Sequence, residues 1–343
     1  MYYVIIDCGT TNSRAYIVDG KGTVYGTAKK TVGVKDTSVT GSKNTLRSGL
    51  KEIVEKAVKT SGIELGEIKA VLSSGMITSE IGLCELPHMD APGGEDELAA
   101  SMAEVKDTGI IEGIPVYFVR GIRNPVPDDG KDPMAIVGRL DFMRGEETQM
   151  MGLMEKPGFQ LPAMAVVLSS HTKFIPIDQE GMILGSLSTM SGQLFESVTQ
   201  GTFLHKSVIQ GDSSEAWPED YFDEKIVRDA IYWNKKVGLA RTLMFPRFLD
   251  VLLDTKWYER LLFLDALVAA EDMLSVNQLD MLSDKKITDY YLIGQKERCR
   301  LYEFIIHETM PEIHITTVSD SEEIDGYSIK GMLRIAKKAG IVK

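Results

Sequence analysis

The 343-residue sequence has few cysteines and no amino-terminal basic leader. Its three cysteines, Cys8, Cys84 and Cys299, are far apart and form no CxxC pair, which argues against a zinc knuckle or a redox dithiol. A small, odd number of cysteines without a disulfide framework is typical of a reducing compartment. The amino terminus reaches Asp7 without the basic and apolar regions of a signal peptide. We therefore expect a cytoplasmic protein.

Basic charge is also scarce, because 38 Lys and Arg residues face 50 Asp and Glu residues, leaving a net charge of −12. A protein this acidic, without a run of basic residues, is a poor partner for nucleic acid or for an anionic membrane surface. No apolar stretch approaches the ~18 residues that a membrane span needs, and Asp265 interrupts the apolar stretch at 261–270. The composition predicts a folded protein with neither nucleic acid nor membrane as partner.

What the sequence does contain is short apolar strands that alternate with helical patterns, and this order restarts in the second half. The predicted strands lie at 4–6, 15–18, 23–25, 70–72, 116–119, 165–168, 174–177, 290–293 and 315–318, and the predicted helices at about 46–58, 190–208, 223–250, 258–274, 296–306 and 328–339. Such alternation predicts an α/β protein whose ligands gather at the carboxyl ends of strands. We expect two domains, residues 1–140 and 141–343, with the last helix as a candidate to pack back on the first.

The segment from Ile6 to Arg14 carries the sharpest chemical signal. A strand delivers Asp7, and a tight polar turn then leads into a second strand that begins near Arg14. Such a turn points backbone N–H groups at phosphate oxygens, and an aspartate at a strand end is suited to hydrated Mg²⁺. The alternative is an ordinary polar hairpin, and no Walker loop occurs in the sequence. The turn residues are Gly9, Thr10, Thr11 and Asn12.

A second segment begins a predicted helix at Gly145 with two carboxylates, Glu146 and Glu147, in its first turn. One interpretation is routine compensation of the helix dipole. The other is a general base for phosphoryl transfer, since Arg144 and Gln149 complete a dense polar set. Adjacent helical residues point in different directions, so only one of the two glutamates is expected to face a ligand.

A third polar turn, at 169–173, contains His171, Thr172 and Lys173. It is either a second phosphate turn or a turn with an ordinary hydrogen-bonded histidine. Further along, Gly294 ends a predicted strand, where a missing side chain allows close approach of a flat ring such as adenine. A glycine in this position is also a common way to turn into a helix.

Taken together, these segments resemble the 2-dehydro-3-deoxygalactonokinase family of the sugar kinase, Hsp70 and actin superfamily. The family pattern Asp-x-Gly-[Ser/Thr]-Thr-Asn-x-Arg is matched at 7–14, and Met-Arg-Gly-Glu-Glu-Thr-Gln is matched without change at 143–149. The family's Pro-Gly-Thr-His-x-Lys is matched at His171 and Lys173, although two serines precede the histidine. The resemblance is strongest over about the first 200 residues and weakest in the carboxyl-terminal third.

The resemblance implies two ribonuclease-H-like (actin-like ATPase) domains with a nucleotide and substrate cleft between them. It also implies an ATP- and Mg²⁺-dependent kinase that phosphorylates the terminal (C6) hydroxyl of 2-dehydro-3-deoxy-D-galactonate. Two alternatives stay open: a kinase of a related sugar acid such as 2-dehydro-3-deoxygluconate, and a catalytically idle sensor of nucleotide or sugar acid. A homodimer is compatible with each of these functions.

The resemblance further implies roles for individual residues. Glu146 is expected to be the base, with Glu147 as the alternative, while Asp7 and Arg144 are also expected to be catalytic and Asp7 to bind the metal. The expected nucleotide contacts are Gly9, Thr10, Thr11, Asn12, Arg14, His171, Thr172, Lys173 and Gly294. The expected substrate contacts are Asn12, Arg14, Gly75, Arg144, Glu147 and Gln149.

Overall fold

The computed structural model describes residues 1–127, 130, 132–210, 218–283 and 285–343. The chain divides into two compact units. The first comprises Met1–Pro162, Pro176–Ser186 and Ser321–Lys343, and the second comprises Ala163–Ile175 and Leu187–Asp320. The first unit is therefore built from three separate segments of the chain.

Fourteen strands and thirteen helices are assigned to the described residues. The strands are β1 (Tyr2–Cys8), β2 (Ser13–Asp19), β3 (Val24–Lys30), β4 (Ile68–Gly75), β5 (Met89–Asp90), β6 (Ala103–Val105), β7 (Val116–Phe118), β8 (Ile122–Arg123), β9 (Phe142–Met143), β10 (Ala163–Leu168), β11 (Thr172–Ile177), β12 (Leu187–Thr189), β13 (Asp289–Gly294) and β14 (His314–Val318). The helices are α1 (Val34–Thr40), α2 (Asn44–Ser61), α3 (Glu95–Ser101), α4 (Pro133–Ile136), α5 (Glu146–Leu153), α6 (Ser191–Gly201), α7 (His205–Val208), α8 (Glu224–Val237), α9 (Leu239–Thr242), α10 (Phe245–Leu252), α11 (Trp257–Ser275), α12 (Lys296–Thr309) and α13 (Ser321–Lys338).

The main sheet of the first unit has the strand order β3-β2-β1-β4-β7-β6. Strand β1 pairs antiparallel with β2, whereas it pairs parallel with β4, which is in turn parallel to β7. Most of β1 and β4 is buried, as expected for strands that are covered on both faces. The apolar face of α2, with Leu46, Leu50 and Ile53 fully buried, belongs to the same core.

The sheet of the second unit has the order β12-β11-β10-β13-β14. Counted along the chain, the strands of the second sheet lie in the order third, second, first, fourth and fifth, and those of the first sheet in the order third, second, first, fourth, sixth and fifth. With the edge strand β6 left aside, the two orders are the same. This is the ribonuclease-H-like order that the resemblance implies. Among the described residues no helix combines the length and the apolarity that a membrane crossing requires.

The division into units differs from the expected boundary at residue 140, because α5 and α13 both belong to the first unit. These helices cross with their backbones in contact: a Cβ atom on Gly331 would lie 1.8 Å from the Thr148 carbonyl oxygen, and one on Gly152 would lie 1.9 Å from that of Tyr327. Only glycine permits such an approach. The closeness of this crossing joins residues far apart in the sequence into one unit.

Several elements differ from the sequence prediction. The helix predicted at 223–250 is three helices, because Gly238 adopts a positive φ of 80° between α8 and α9 and Pro246 lies in the first turn of α10. The last helix begins at Ser321, earlier than predicted. Strands β6 and β12 and the small β5-β8-β9 sheet were not predicted, since strands of two or three residues are too short to show a hydrophobic period.

Candidate active site

The polar turn between β1 and β2 is held by backbone hydrogen bonds, and its residues 10–12 are exposed to solvent. The Gly9 N–H donates to the Asn12 carbonyl at 2.9 Å, and the Lys35 N–H donates to the Thr10 carbonyl at 2.9 Å. Residues 10–12 are exposed, and within the described part of the chain their N–H groups donate to no recorded acceptor. A run of unpaired N–H groups is a binding feature for anionic oxygens, because each such donor needs a partner from solvent or ligand.

Beside this turn, Arg14 lies between two carboxylates. Its Nη1 is 3.5 Å from Asp7 Oδ2, and its Nε is 3.6 Å from Asp325 Oδ2 on α13. The Tyr16 hydroxyl donates to Asp325 at 2.9 Å. Burial raises the pKa of Asp7, Arg14 opposes this shift, and the negative charges of Asp325 and Glu146 add to it. Asp7 keeps a third of its side chain exposed, so a ligand is able to reach it.

Two glycines bring the ends of β1 and β4 and the start of α5 together. A Cβ atom on Gly75 (φ 92°) would lie 2.5 Å from the Cys8 carbonyl oxygen and 3.6 Å from Asp7 Oδ1. A Cβ atom on Gly145 (φ 109°) would lie 3.3 Å from Gly75 Cα. Side chains at these positions would separate the segments, so the glycines keep α5 against the turn that carries Asp7.

The two glutamates that begin α5 have different environments. Glu146 is half-buried and accepts a hydrogen bond from the Arg144 N–H at 3.2 Å. Glu147 is fully buried, and both of its oxygens lie 2.8 Å from the Gly145 nitrogen, which donates to them. Burial raises the pKa of Glu147 to about 8, with the charge of Glu146 contributing. Of the two glutamates, only Glu146 keeps exposed surface.

Arg144 binds a neighbouring part of the first unit through its guanidinium. Nη1 donates to Thr78 Oγ1 at 2.6 Å, and Nη2 donates to the Leu86 carbonyl at 2.9 Å and lies 3.4 Å from His88 Nδ1. Burial lowers its pKa. These contacts fix the segment that follows β4. Gln149 is nearly buried, and the substrate contacts expected of Arg144 and Gln149 stay predictions.

In the second unit, the turn at 169–173 has its polar side chains tied to the protein. Thr172 is fully buried, with its Oγ1 2.7 Å from Ser191 Oγ and 3.4 Å from Tyr302 Oη. Lys173 Nζ donates to Ser188 Oγ at 2.8 Å. His171 is half-buried. Any nucleotide contact made by Thr172 would therefore use its backbone.

Tyr302 is the centre of this buried network. Its hydroxyl donates to Asp272 and accepts from Arg298 Nη2 at 3.3 Å, and Arg298 pairs with Asp265. At the end of β13, a Cβ atom on Gly294 would lie 2.8 Å from the Leu168 carbonyl oxygen, so this glycine is required for the packing of β13 beside β10. This explains Gly294 whether or not it also contacts a nucleotide.

The first unit thus brings together most of the predicted site: Asp7, the 9–12 turn, Arg14, Gly75 and Glu146. One residue beside them was not predicted from the sequence. Asp325 is more than three hundred residues from Arg14 in the chain and lies in the divergent carboxyl-terminal third. No local motif marks it, and it lies before residue 328, where the last helix was predicted to begin.

A sequence profile of the 2-keto-3-deoxy-galactonokinase family matches residues 7–326. The chain belongs to this family. The match confirms the resemblance drawn from the three motifs. A curated protein of Rhizobium meliloti (strain 1021), named as a 2-dehydro-3-deoxygalactonokinase, DgoK1, is 23% identical over 223 residues. That match covers 65% of this chain and 64% of the relative, which is less than two thirds of the relative's length.

Solved structures support the fold of this 2-keto-3-deoxy-galactonokinase family member. A crystal structure of a protein from Sinorhizobium meliloti, assigned as a 2-dehydro-3-deoxygalactonokinase, superposes with a TM-score of 0.72 at 17% identity, covering 98% of this chain and 96% of that one. A reductive activator for a corrinoid, iron–sulfur protein gives 0.51 at 15% identity, covering 99% and 61%. At these identities the likeness shows the fold alone. Together with the strand order, it confirms the predicted α/β class.

Proposed function

We propose that this protein is an ATP-dependent kinase that phosphorylates the C6 hydroxyl of 2-dehydro-3-deoxy-D-galactonate. Family membership supports the reaction class and the substrate. The observation that carries the proposal is the open turn at 9–12, in which the N–H groups of residues 10–12 have no recorded acceptor among the described residues and lie near Asp7, Arg14 and Glu146. Phosphoryl transfer needs such an arrangement, because its catalysis is mainly positioning and stabilisation of charge on phosphate oxygens.

Asp7 is proposed to hold Mg²⁺ together with the nucleotide phosphates. The site fits this ion, because a carboxylate oxygen is the ligand type that Mg²⁺ prefers. Among the described residues, no group of three or more His, Cys, Asp or Glu side chains is arranged so that it could hold a metal ion. This agrees with Mg²⁺, which is usually bound by one or two carboxylates with phosphates and water rather than by a cage of protein ligands. The ion would neutralise charge on the β- and γ-phosphates.

Glu146 is proposed to act as the general base. It would accept the proton of the C6 hydroxyl while that oxygen attacks the γ-phosphorus and the bond to the β–γ bridging oxygen breaks. The products are then ADP and the 6-phosphate of the sugar acid. Burial of Glu147 supports assigning this role to Glu146, since a carboxylate without exposed surface reaches no substrate hydroxyl.

The substrate carboxylate needs cationic or amide partners. Asn12 and Arg14 are proposed for this role, since Asn12 lies on the open turn and Arg14, at the start of β2 beside it, keeps 41% of its side chain exposed. For the nucleotide, the backbone of the 169–173 turn, His171, Lys173 and Gly294 are the proposed contacts in the second unit. We propose a cytoplasmic enzyme that acts on small molecules, in accord with its acidic charge and few cysteines.

The test is a coupled ADP-release assay with ATP, Mg²⁺ and a panel of 2-dehydro-3-deoxygalactonate, 2-dehydro-3-deoxygluconate, galactonate and gluconate. We expect release that depends on the first of these acids and on Mg²⁺, with a 6-phosphate as product by mass spectrometry. Stronger release with another acid of the panel would replace the substrate. If no acid of the panel stimulated ADP release while ATP still bound, the proposed activity would be overturned.

A further inference from the structure

A second acidic side chain, Asp325, pairs with Arg14 through a guanidinium nitrogen other than the one that contacts Asp7. The Arg14 guanidinium is engaged by Asp7 through Nη1 at 3.5 Å and by Asp325 through Nε at 3.6 Å. Asp325 also accepts the Tyr16 hydroxyl at 2.9 Å. Tyr16 is buried, so this hydrogen bond fixes the carboxylate of Asp325 on the sheet that carries the open turn.

The place of Asp325 is set by the packing of α13. The crossing of Gly331 on α5 leaves no freedom for the helix to slide, because the backbones are in contact. Farther along α13, Arg334 Nη1 donates to the Met151 carbonyl at 3.1 Å and its Nε pairs with Glu95 at 2.7 Å. Asp325 lies in the second turn of the same helix. Its carboxylate is thus delivered to Arg14 by a rigid element and is not a mobile surface charge.

An arginine that pairs with Asp7 alone would compete with a metal ion for that carboxylate, because both are cations that bind the same oxygens. A second anionic partner changes this competition. Asp325 offers the guanidinium another partner, so Arg14 is able to leave the Asp7 oxygens without leaving the turn.

We propose that Asp325 is a positioning residue, which anchors Arg14 beside the 9–12 turn and so keeps the Asp7 carboxylate available when Mg·ATP binds. This inference rests on the proposed function, since it assigns Asp7 to the metal and the turn to the phosphates. Asp325 acts through Arg14 and touches neither substrate nor nucleotide.

The test compares the dissociation constants of Mg·ATP and of Mg²⁺-free ATP, measured by calorimetry without sugar acid, in the wild-type protein and in Asp325→Asn. We expect the preference for Mg·ATP to fall about tenfold in the variant, the effect of losing one charged contact. Asp325→Glu is expected to restore most of it. Glu322→Gln, which changes an exposed carboxylate one turn earlier on α13, is the matched control and is expected to behave as wild type.

Steady-state kinetics give a second readout. Asp325→Asn is expected to raise KM for Mg·ATP and the Mg²⁺ concentration for half-maximal rate, while the melting temperature stays close to wild type. An unchanged Mg·ATP preference would overturn the inference. If Asp325→Asn does not fold, Tyr16→Phe takes its place, with a smaller shift in the same direction expected and no shift counting against the proposal. The binding experiment needs no turnover, so it distinguishes failure of this inference from failure of the proposed reaction.

Discussion

The sheets of the two units share a common arrangement of five strands. The polar turns at the ends of their first strands nevertheless differ. In the first unit the N–H groups at 10–12 have no acceptor among the described residues. In the second unit the Thr172 hydroxyl is tied to Ser191 and Tyr302, and the Ser170 carbonyl accepts the Gln193 N–H of α6. Among the described residues the N–H groups of exposed Ser169 and Ser170 likewise donate to no recorded acceptor. The difference between the turns therefore lies in their side chains, since residues 10–12 are exposed, whereas Thr172 and Lys173 are buried and hydrogen-bonded within their unit.

The difference shows how one fold serves two purposes. Exposed backbone donors bind water in the absence of a ligand and are available to anionic oxygens, so a turn that keeps them is organised for binding. Buried, mutually bonded side chains rigidify their surroundings, because each group left without a partner would be expensive. We therefore expect changes at the first turn to affect function before stability, and changes around the second turn to affect stability before function.

The largest effect is expected for Glu146→Gln, at the start of α5 near Asp7 and the open turn. An amide accepts no proton from the substrate hydroxyl, so kcat should fall about 10²- to 10⁴-fold, the usual contribution of a general base. ATP affinity and melting temperature should stay near wild type. Steady-state ADP release and ATP titration measure this, with Glu155→Gln, an exposed change just after α5, as the control. Near-normal turnover would remove Glu146 from the mechanism.

A large loss of stability is expected for Gly331→Ala, which tests whether the first turn depends on the last helix. The added Cβ would lie 1.8 Å from the Thr148 carbonyl oxygen, so we expect the free energy of unfolding to fall by about 3 kcal/mol, the upper range for overpacking. Gly326→Ala, on the same helix with open space around its Cβ, should instead be neutral or stabilising by up to ~1 kcal/mol. Urea unfolding of Gly331→Ala and Gly326→Ala measures this difference. Equal free energies of unfolding in the two variants would contradict the close contact between α5 and α13.

The next effect concerns pH and Glu147. Its pKa is raised from 4.5 to about 8 by burial, so between these values the folded state binds more protons than the unfolded state. The free energy of unfolding should therefore fall, by about a few kcal/mol in total, as pH rises through this window, and level off above it. Glu147→Gln should remove this fall. Unfolding at pH 5 and pH 8.5 measures it, and an identical pH dependence in the variant would show that the carboxyl does not titrate in this range.

A smaller effect is expected for Tyr302→Phe in the second unit. The change leaves buried Asp272 without its hydroxyl donor, so we expect a loss of about 1–3 kcal/mol in unfolding free energy. The ADP-release rate should fall less in this variant than in Glu146→Gln.

Thr11→Val at the exposed first turn is the reciprocal variant. We expect weaker nucleotide binding and an unchanged free energy of unfolding. If Tyr302→Phe weakened nucleotide binding without loss of stability, and Thr11→Val lowered stability without weaker binding, the expected difference between the two turns would be wrong.

The sequence predicted the strands of the two large sheets except the short β6 and β12, and it predicted the residues of the first turn, because these lie in contiguous motifs with a clear hydrophobic period. It also left Glu146 and Glu147 as alternatives. Their distinction depends on which side chain points inward from α5, and burial decides that in the structure. The strands of two or three residues in the β5-β8-β9 sheet were missed because they carry no period.

Asp325 shows why the remainder of the site was out of reach. Its position depends on a helix crossing in which Gly152 and Gly331, nearly 180 residues apart in the sequence, are in contact. The sequence around neither glycine has a pattern that predicts this contact. The boundary at residue 140 differs from the compact units for the same reason. Composition and periodicity describe segments, whereas this contact exists only between segments.

The division of the first unit into separate chain segments has a consequence for how the protein is made. Translation delivers β1, the open turn and α5 early, but α13 leaves the ribosome only after the entire second unit has been synthesised. Until then α5 lacks the helix that covers Gly152, and Arg14 lacks Asp325. Since domains fold as units during synthesis, the second unit is able to complete its fold while the first still waits for its last helix. The docking of that helix then completes the first unit, so the open turn acquires the Asp325 contact only after the second unit has been synthesised.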